Sequence, residues 1–492
     1  MKNWASLPVK VALRKWTRTV NRSELLENRR NETMNSFHIL FAFVLACCML
    51  GSFAQAQDQT GTAPLSNEAV LQKMQQLEQE VKDLQTEVAT LKSGAAAAPV
   101  PAASAPAPAA APPAQAVVAT TGATPAAAPA PITLAGLLGN TTLSGFVDSY
   151  YGYNSNHPPT RQNGLRNFDV DTNQFGLNMI ELVADKSVDA TNRLGYHIAL
   201  GFGQAMNIYN SASPGESSLG QDLKEGYLEY LAPVGKGLQI NFGKFVTPAG
   251  AEVVESKDNW NYSRSLLFSY AIPYFHFGAN AKYAFNPKFA VTAYVVNGWN
   301  NTIDNNTGKT AGFSAAWTPN AKFSITETYL GGPELTNDNS DFRQLTDTVI
   351  TYNPNAKLSL MANYDFGRQT FDTAYRNANE IPFALAKWSG LAGYVKYAPP
   401  TSKWALALRG EYFNDNQGFM TMSPASGKKQ ELSEFTATLQ RTLSGKLIAR
   451  LEGRRDMTDD LTFLRGPDGV GVGGQNTITL GLIYAFSSAD AK

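Results

Sequence analysis

The sequence predicts an all-β chain: a transmembrane antiparallel β-barrel of about 16 strands, preceded by a short α-helical coiled coil and an Ala/Pro-rich linker. Three observations predict it. From Thr477 to Phe486, Ile478, Leu480, Leu482, Tyr484 and Phe486 are apolar or aromatic at every second position. The residues between them, Thr477, Thr479, Gly481, Ile483 and Ala485, are mostly small, as expected of a strand with one face to lipid and one to water. Similar alternating runs recur from about Asn140 onward with no helical period. Charged residues make up only 17% of the 492, and no apolar run reaches the roughly 18 residues of a membrane helix.

Residues 1–56 read as a leader with a signal peptide. The apolar run Phe37 to Gly51 precedes Ser52-Phe53-Ala54-Gln55-Ala56, whose Ala54 and Ala56 fit the small-x-small rule for cleavage after Ala56. Val44-Leu45-Ala46-Cys47 is a competing, looser lipobox. Cys47 and Cys48 both lie in the leader, so the mature chain needs no disulfide. The leader carries eight Lys/Arg and three Asp/Glu out of 41 and 41, which leaves the mature chain at about −5 and argues against nucleic acid as a partner.

Residues 67–93 predict a periplasmic coiled coil. Met74, Val81 and Val88 repeat every seven residues, with Leu77, Leu84 and Leu91 offset from them, an a/d heptad pattern for holding copies of the chain together, here a homotrimer. The alternative is a single amphipathic helix folded back on the barrel, since three heptads are short for a helix standing alone. Residues 94–139, mostly Ala and Pro, bury too little side-chain area to fold; at about 3.1 Å per residue such a linker reaches on the order of 100 Å.

Residues 140–486 form the predicted barrel and 487–492 a C-terminal tail. The clearest strands follow Leu194 to Phe202, Leu238 to Phe242, Phe289 to Val295, Leu358 to Phe366, Trp404 to Tyr412 and Leu447 to Gly453. Weaker ones lie near Leu143, Leu177, Leu228, Ala281, Phe313, Ile325, Val349, Val395 and Phe435. Long stretches such as Asn154 to Thr172, Tyr209 to Gln221, Asn297 to Lys309, Gly367 to Pro382 and Asp456 to Gln475 read as extracellular loops. Asn286-Pro287, Pro319-Asn320 and Asn353-Pro354-Asn355 read as tight periplasmic turns.

Gly243-Lys244-Phe245-Val246-Thr247-Pro248-Ala249-Gly250-Ala251-Glu252 is followed by Tyr262-Ser263-Arg264-Ser265, Pro273-Tyr274-Phe275-His276-Phe277-Gly278 and Asn297-Gly298-Trp299-Asn300-Asn301. With Leu143-Ser144-Gly145-Phe146-Val147-Asp148 and Gly331-Gly332-Pro333-Glu334, this order resembles the OmpL-like group of outer-membrane β-barrel porins over most of the barrel. Phe277, where a small residue is expected, and the tail after Phe486 depart from the pattern. The resemblance implies a solute channel and carries no catalytic residue and no substrate.

Strand parity sends Arg193, His197, Glu225, Glu229, Arg409, Glu411, Arg450, Glu452 and Arg454 into the lumen, because charge on the lipid side costs about 2–4 kcal/mol for Arg or Lys near mid-bilayer. All of these except His197 are the candidate pore-lining residues. Arg409, Arg450 and Arg454 on late strands could face Glu225 and Glu229 on early ones as a basic wall opposite an acidic wall; equally, Arg and Glu could neutralise one another. Thr247 to Tyr274 is too long for a turn, and its Glu252, Glu255, Lys257, Asp258 and Arg264 make it either a surface loop or a constriction loop folded into the lumen.

Asp169-Val170-Asp171 lacks the Gly and distal Glu of a calcium loop, and Gly469 to Gly474 precede a strand, without the helix that phosphate binding requires. His157, His197 and His276 are widely spaced, so no metal or cofactor is expected. A hydrolase pairing His276 with Ser263 or Ser265 lacks a nucleophile elbow, so no enzyme is expected.

The expectation is a porin in the bacterial outer membrane, periplasmic at its N-terminus, contacting outer-membrane lipid and passing small hydrophilic solutes, with cell-wall contact through the coiled coil. A structural or adhesive barrel with a plugged lumen is the alternative, and a soluble β protein a third.

Overall fold

The computed structural model describes residues 139–210, 218–421 and 427–491. The expected leader, the coiled coil with Met74, Leu77, Val81, Leu84, Val88 and Leu91, and the linker lie outside the described residues.

Sixteen antiparallel strands close into a barrel: β1 (Thr142–Asn154), β2 (Gln174–Lys186), β3 (Leu194–Phe202), β4 (Leu223–Ala232), β5 (Leu238–Val246), β6 (Phe275–Asn286), β7 (Phe289–Val296), β8 (Thr310–Asn320), β9 (Phe323–Pro333), β10 (Phe342–Asn355), β11 (Leu358–Thr370), β12 (Leu385–Tyr397), β13 (Trp404–Asp415), β14 (Gln430–Ser444), β15 (Leu447–Thr458) and β18 (Gly474–Ser487). β16 (Phe463–Arg465) and β17 (Val470–Val472) form a separate hairpin inside the last long loop. Closure leaves no backbone edge for lipid to solvate, and strands cross a membrane only on that condition.

Period-2 patterning decides the faces. On β18, Leu480, Leu482, Tyr484 and Phe486 are exposed outward while Thr477, Thr479 and Ile483 are buried inward. Aromatics gather outward near the strand ends, with Trp317, Tyr352, Tyr397, Trp404 and Tyr484 toward the short-turn rim and Tyr153, Phe342 and Tyr412 toward the long-loop rim.

Three short turns share one device: the side chains of Asn286, Asn320 and Asn355 each accept the backbone N–H two residues on, from Lys288, Lys322 and Lys357, at 2.9 Å each. An Asx-turn of this kind reverses a chain in minimal length.

β1 and β18 seal the barrel in register from Ser144↔Ser487 to Asn154↔Thr477. Residues after Phe486 are engaged on both sides of β18, at this seam and at the β14–β15 turn. The Leu143 N–H donates to Ser488 Oγ at 3.0 Å, and Asp490 pairs with Lys446 at 3.0 Å.

The buried apolar cluster lies inside the barrel. Phe146, Leu345, Trp388, Phe413 and Ile483 from the wall pack with Tyr262, Leu266, Leu267 and Phe268 of the loop between β5 and β6.

Candidate functional site

The β5–β6 loop crosses the lumen. β5 and β13 stand eight strands apart in a ring of sixteen, and the loop starting at β5 bonds to inward side chains of β13, β14, β15 and β1.

A loop inside a barrel loses water, so its backbone groups need protein partners. The far wall supplies both polarities. Glu411 accepts the N–H groups of Leu266 and Leu267 at 2.6 and 3.1 Å, and Glu452 those of Tyr262 and Ser263 at 2.5 and 2.9 Å. Arg450 donates to the carbonyls of Ser256, Asn259 and Asn261 at 2.5, 2.7 and 3.2 Å. Arg454 donates to the Arg264 carbonyl at 2.6 Å, and Arg409 to that of Ser263 at 2.7 Å. On β1, Asp148 accepts from Tyr262 Oη at 2.8 Å and Ser256 Oγ at 2.6 Å.

The alternating Arg and Glu of β13 and β15 thus meet the loop's carbonyls and amides in turn. They point inward, as parity requires, but all five are buried beneath the loop.

Ion pairs reinforce the seat. Arg409 holds Glu252 of the loop at 2.8 Å and Glu434 of β14 at 2.7 Å, and Arg454 holds Asp456 at 2.7 Å. With their carboxylates beside them, these arginines are not a free basic wall.

Nearer the loop's start, Lys224 joins Glu181 at 2.8 Å, Glu225 at 2.9 Å and Glu255 of the loop. Burial by itself would raise the Glu255 carboxyl, but the adjacent Lys224 ammonium outweighs it and holds the group down at about 2.

Of the remaining candidates, Arg264 is buried, donating to the carbonyls of Tyr262 and Val254 and lying over the Phe168 ring. Lys257 and Asp258 keep side-chain exposures of 27% and 54% and pair with each other at 2.5 Å. Glu229 accepts from Gln239 at 2.8 Å, and Arg193 donates to the Leu231 carbonyl at 3.0 Å beside the short-turn rim. His197 bonds Asp185 at 2.9 Å. His276 bonds the Gly298 carbonyl at 2.8 Å and Thr247 Oγ1 at 3.3 Å, whereas the Ser263 hydroxyl accepts from Arg409 and Arg454 and that of Ser265 from the Phe268 N–H. The serine–histidine pairing weighed above is not assembled.

Sequence reasoning missed Lys224, Asp148, Glu181 and Glu434. A register shift where β3 meets β4, at Ala199/Leu200, lets the consecutive Lys224 and Glu225 both face inward, which parity counting cannot anticipate. Asp148, Glu181 and Glu434 lie at inward positions, but their significance depends on a partner far away in sequence.

A closed sixteen-stranded barrel with an apolar aromatic-rimmed exterior, a charged interior and a loop drawn across its lumen defines an outer-membrane barrel of the porin type. The model of the family described as "Putative beta-barrel porin-2, OmpL-like" matches residues 140–486, and the chain belongs to that family. This places it in the bacterial outer membrane. No curated protein gives a match.

Among solved structures it is similar to the anion-selective porin from Comamonas acidovorans, at 12% identity and a TM-score of 0.47, over 70% of this chain and 99% of that one. The outer membrane channel DcaP of Acinetobacter baumannii matches at 10% identity and a TM-score of 0.44, over 70% and 97%. OmpT of Vibrio cholerae matches at 11% identity and a TM-score of 0.44, again over 70% and 97%.

Proposed function

We propose that the protein is a porin through which small hydrophilic solutes diffuse passively, with the β5–β6 loop setting the narrowest cross-section. The observation that carries this reading is the seating of that loop on the wall opposite its origin.

The solute route in this reading runs past the polar groups left partly open. These are Lys257 and Asp258 on the loop and Asp185, His197, Glu229, Lys282 and Lys396 on the wall. Arg409, Arg450 and Arg454 act as anchors of the loop, and the transverse field weighed from the sequence is set aside. The N-terminus is periplasmic, and the heptads of 67–93 tie barrels into a trimer and reach toward the cell wall. No catalytic role is assigned.

Single-channel recording in planar bilayers tests the pore. Wild type should give steady conductance, and deletion of 253–262 should raise it several-fold; unaltered conductance would remove the loop as the constriction. Arg450→Ala with Arg454→Ala should loosen the loop, broadening the conductance distribution with little change in anion/cation preference.

The buried apolar cluster inside the barrel favours one other reading, a plugged structural or adhesive barrel. A folded barrel that stays electrically silent would establish it.

A further inference from the structure

Outward positions on most strands are apolar, as at Leu228, Phe242, Val295, Leu391 and Leu480. One sector departs. On β9 and β10 the outward residues include Glu327, Tyr329, Gln344, Thr346 and Thr348, and β11 adds Arg368. Their parity is fixed by Thr328, Leu330, Leu345 and Asp347, which alternate with them and are completely buried inward.

The group is internally bonded. Thr348 Oγ1 donates to Glu327 Oε2 at 2.6 Å, Gln344 Nε2 donates to Tyr329 Oη at 2.8 Å, and Arg368 Nε donates to Gln344 Oε1. Tyr329, Gln344, Thr346, Phe366 and Arg368 line a shallow groove of about 230 Å³.

Depth makes this costly. Glu327 is four residues along β9 from Phe323, which pairs with Tyr352 beside Trp317 at the short-turn aromatic rim. At about 3.3 Å per residue on a tilted strand, that places Glu327 about 10 Å into an apolar belt about 25 Å tall. A carboxylate facing hydrocarbon there is disfavoured, whereas one facing another protein surface finds donors. Ala315, directly opposite Glu327 on β8, and outward Ala311, Gly331 and Ala362 leave gaps between the outward rings of Phe313, Tyr329 and Phe366 into which side chains of another protein can fit.

We infer that the outer face of β8–β11 is covered by a second copy of this chain. The inference rests on the oligomer reading above and names its surface. The occupant follows from two observations: the patch carries a carboxylate, a guanidinium and several hydroxyl and amide groups, so copies offer each other both donors and acceptors, and the heptads at 67–93 raise the local concentration of barrels.

A photoreactive phenylalanine analogue in place of Thr346, with Ile198 on β3 as the control position, tests it in membranes holding the full-length protein. Irradiation should give a chain–chain adduct of doubled mass from position 346 and none from 198. Lipid adducts alone at 346 with an oligomer still seen by native mass measurement would overturn this surface and leave the oligomer standing; monomers alone would overturn both. Glu327→Leu with Thr348→Val should lower by several degrees the temperature at which unheated oligomers separate on gels, while each barrel stays folded. An unchanged or higher separation temperature would count against the interface.

Discussion

Arg409 shows how a single side chain can fasten a loop. Its Nε donates to Glu434, Nη1 to Glu252 and the Ser263 carbonyl, and Nη2 to the Ser263 and Thr436 hydroxyls. Only a planar guanidinium offers that many fixed donors, so lysine is no substitute. Arg409→Ala strips the buried Glu252 of its cation, leaves Glu434 with Arg454 alone at 3.4 Å, and should cost about 3–5 kcal/mol of stability in detergent, read as a lower urea midpoint. Adding Glu434→Gln should recover part of the loss. Asp365 has the opposite defect. It lies opposite Asp347 on β10 and both are completely buried, so two carboxyl groups face each other inside the wall. Asp365→Asn should stabilise the barrel by about 1–3 kcal/mol, read as a higher unfolding midpoint, because two facing buried carboxyls cannot both ionise cheaply whereas an amide can donate to Asp347. A lower midpoint would mean that the carboxylate serves an unseen partner. The alternation around Arg409 and Glu411 gave away their direction. Nothing in the sequence revealed that Glu252, 157 residues earlier, would be what Arg409 meets.

The β5–β6 loop depends on wall features that only its own path explains. Gly481 occupies an inward position of the closing strand, and a Cβ there would lie 2.5 Å from the Tyr262 ring. Alternation alone registered such positions as small; the reason is the ring that lies against them. Gly481→Val should push Tyr262 off Asp148, leave the barrel closed, and increase conductance fluctuations in bilayer recordings. The loop's other tether responds to pH. Glu255 is held near 2 in the folded state by Lys224, against about 4.3 for a free glutamate. With the folded value the lower of the two, the stabilisation is complete above about pH 4.5 and is lost as pH falls toward 2. Wild-type conductance should therefore become noisier or larger below about pH 4.5, and Lys224→Met should show that behaviour already at neutral pH. A flat pH response in wild type would mean that the Lys224 cluster does not hold the loop.

In the proposed reading, closure of the barrel and association of barrels rest on separate stretches of chain. Every ladder bond of the ring lies between Thr142 and Ser487; Ser488 fastens the seam locally, and Asp490 is held by Lys446 of the β14–β15 turn on the other side of β18. Strand number, the alternation of long loops with short turns and the closing strand were legible because each follows from period-2 patterning and turn chemistry, which act over about ten residues. The association proposed for the chain has its sequence signal only in the heptads at 67–93, since a sheet face that meets another protein reads from sequence much like one that meets lipid. Deleting 57–139 should therefore leave a barrel that still migrates as a folded species on unheated gels and still conducts. What should change is association: if the heptads join copies, the linker and heptads convert encounters between barrels into near-intramolecular ones, an effect that can strengthen binding by about 10²–10⁴-fold without any new barrel contact. At low protein concentration in detergent the truncated form should separate into monomers by native mass measurement while the full chain stays together. In bilayers its channels should enter as single conductance steps where the full chain enters in groups. If the truncated barrel holds its oligomer at the same dilution, the outer face of the barrel suffices for assembly, and the heptads serve some purpose other than joining copies.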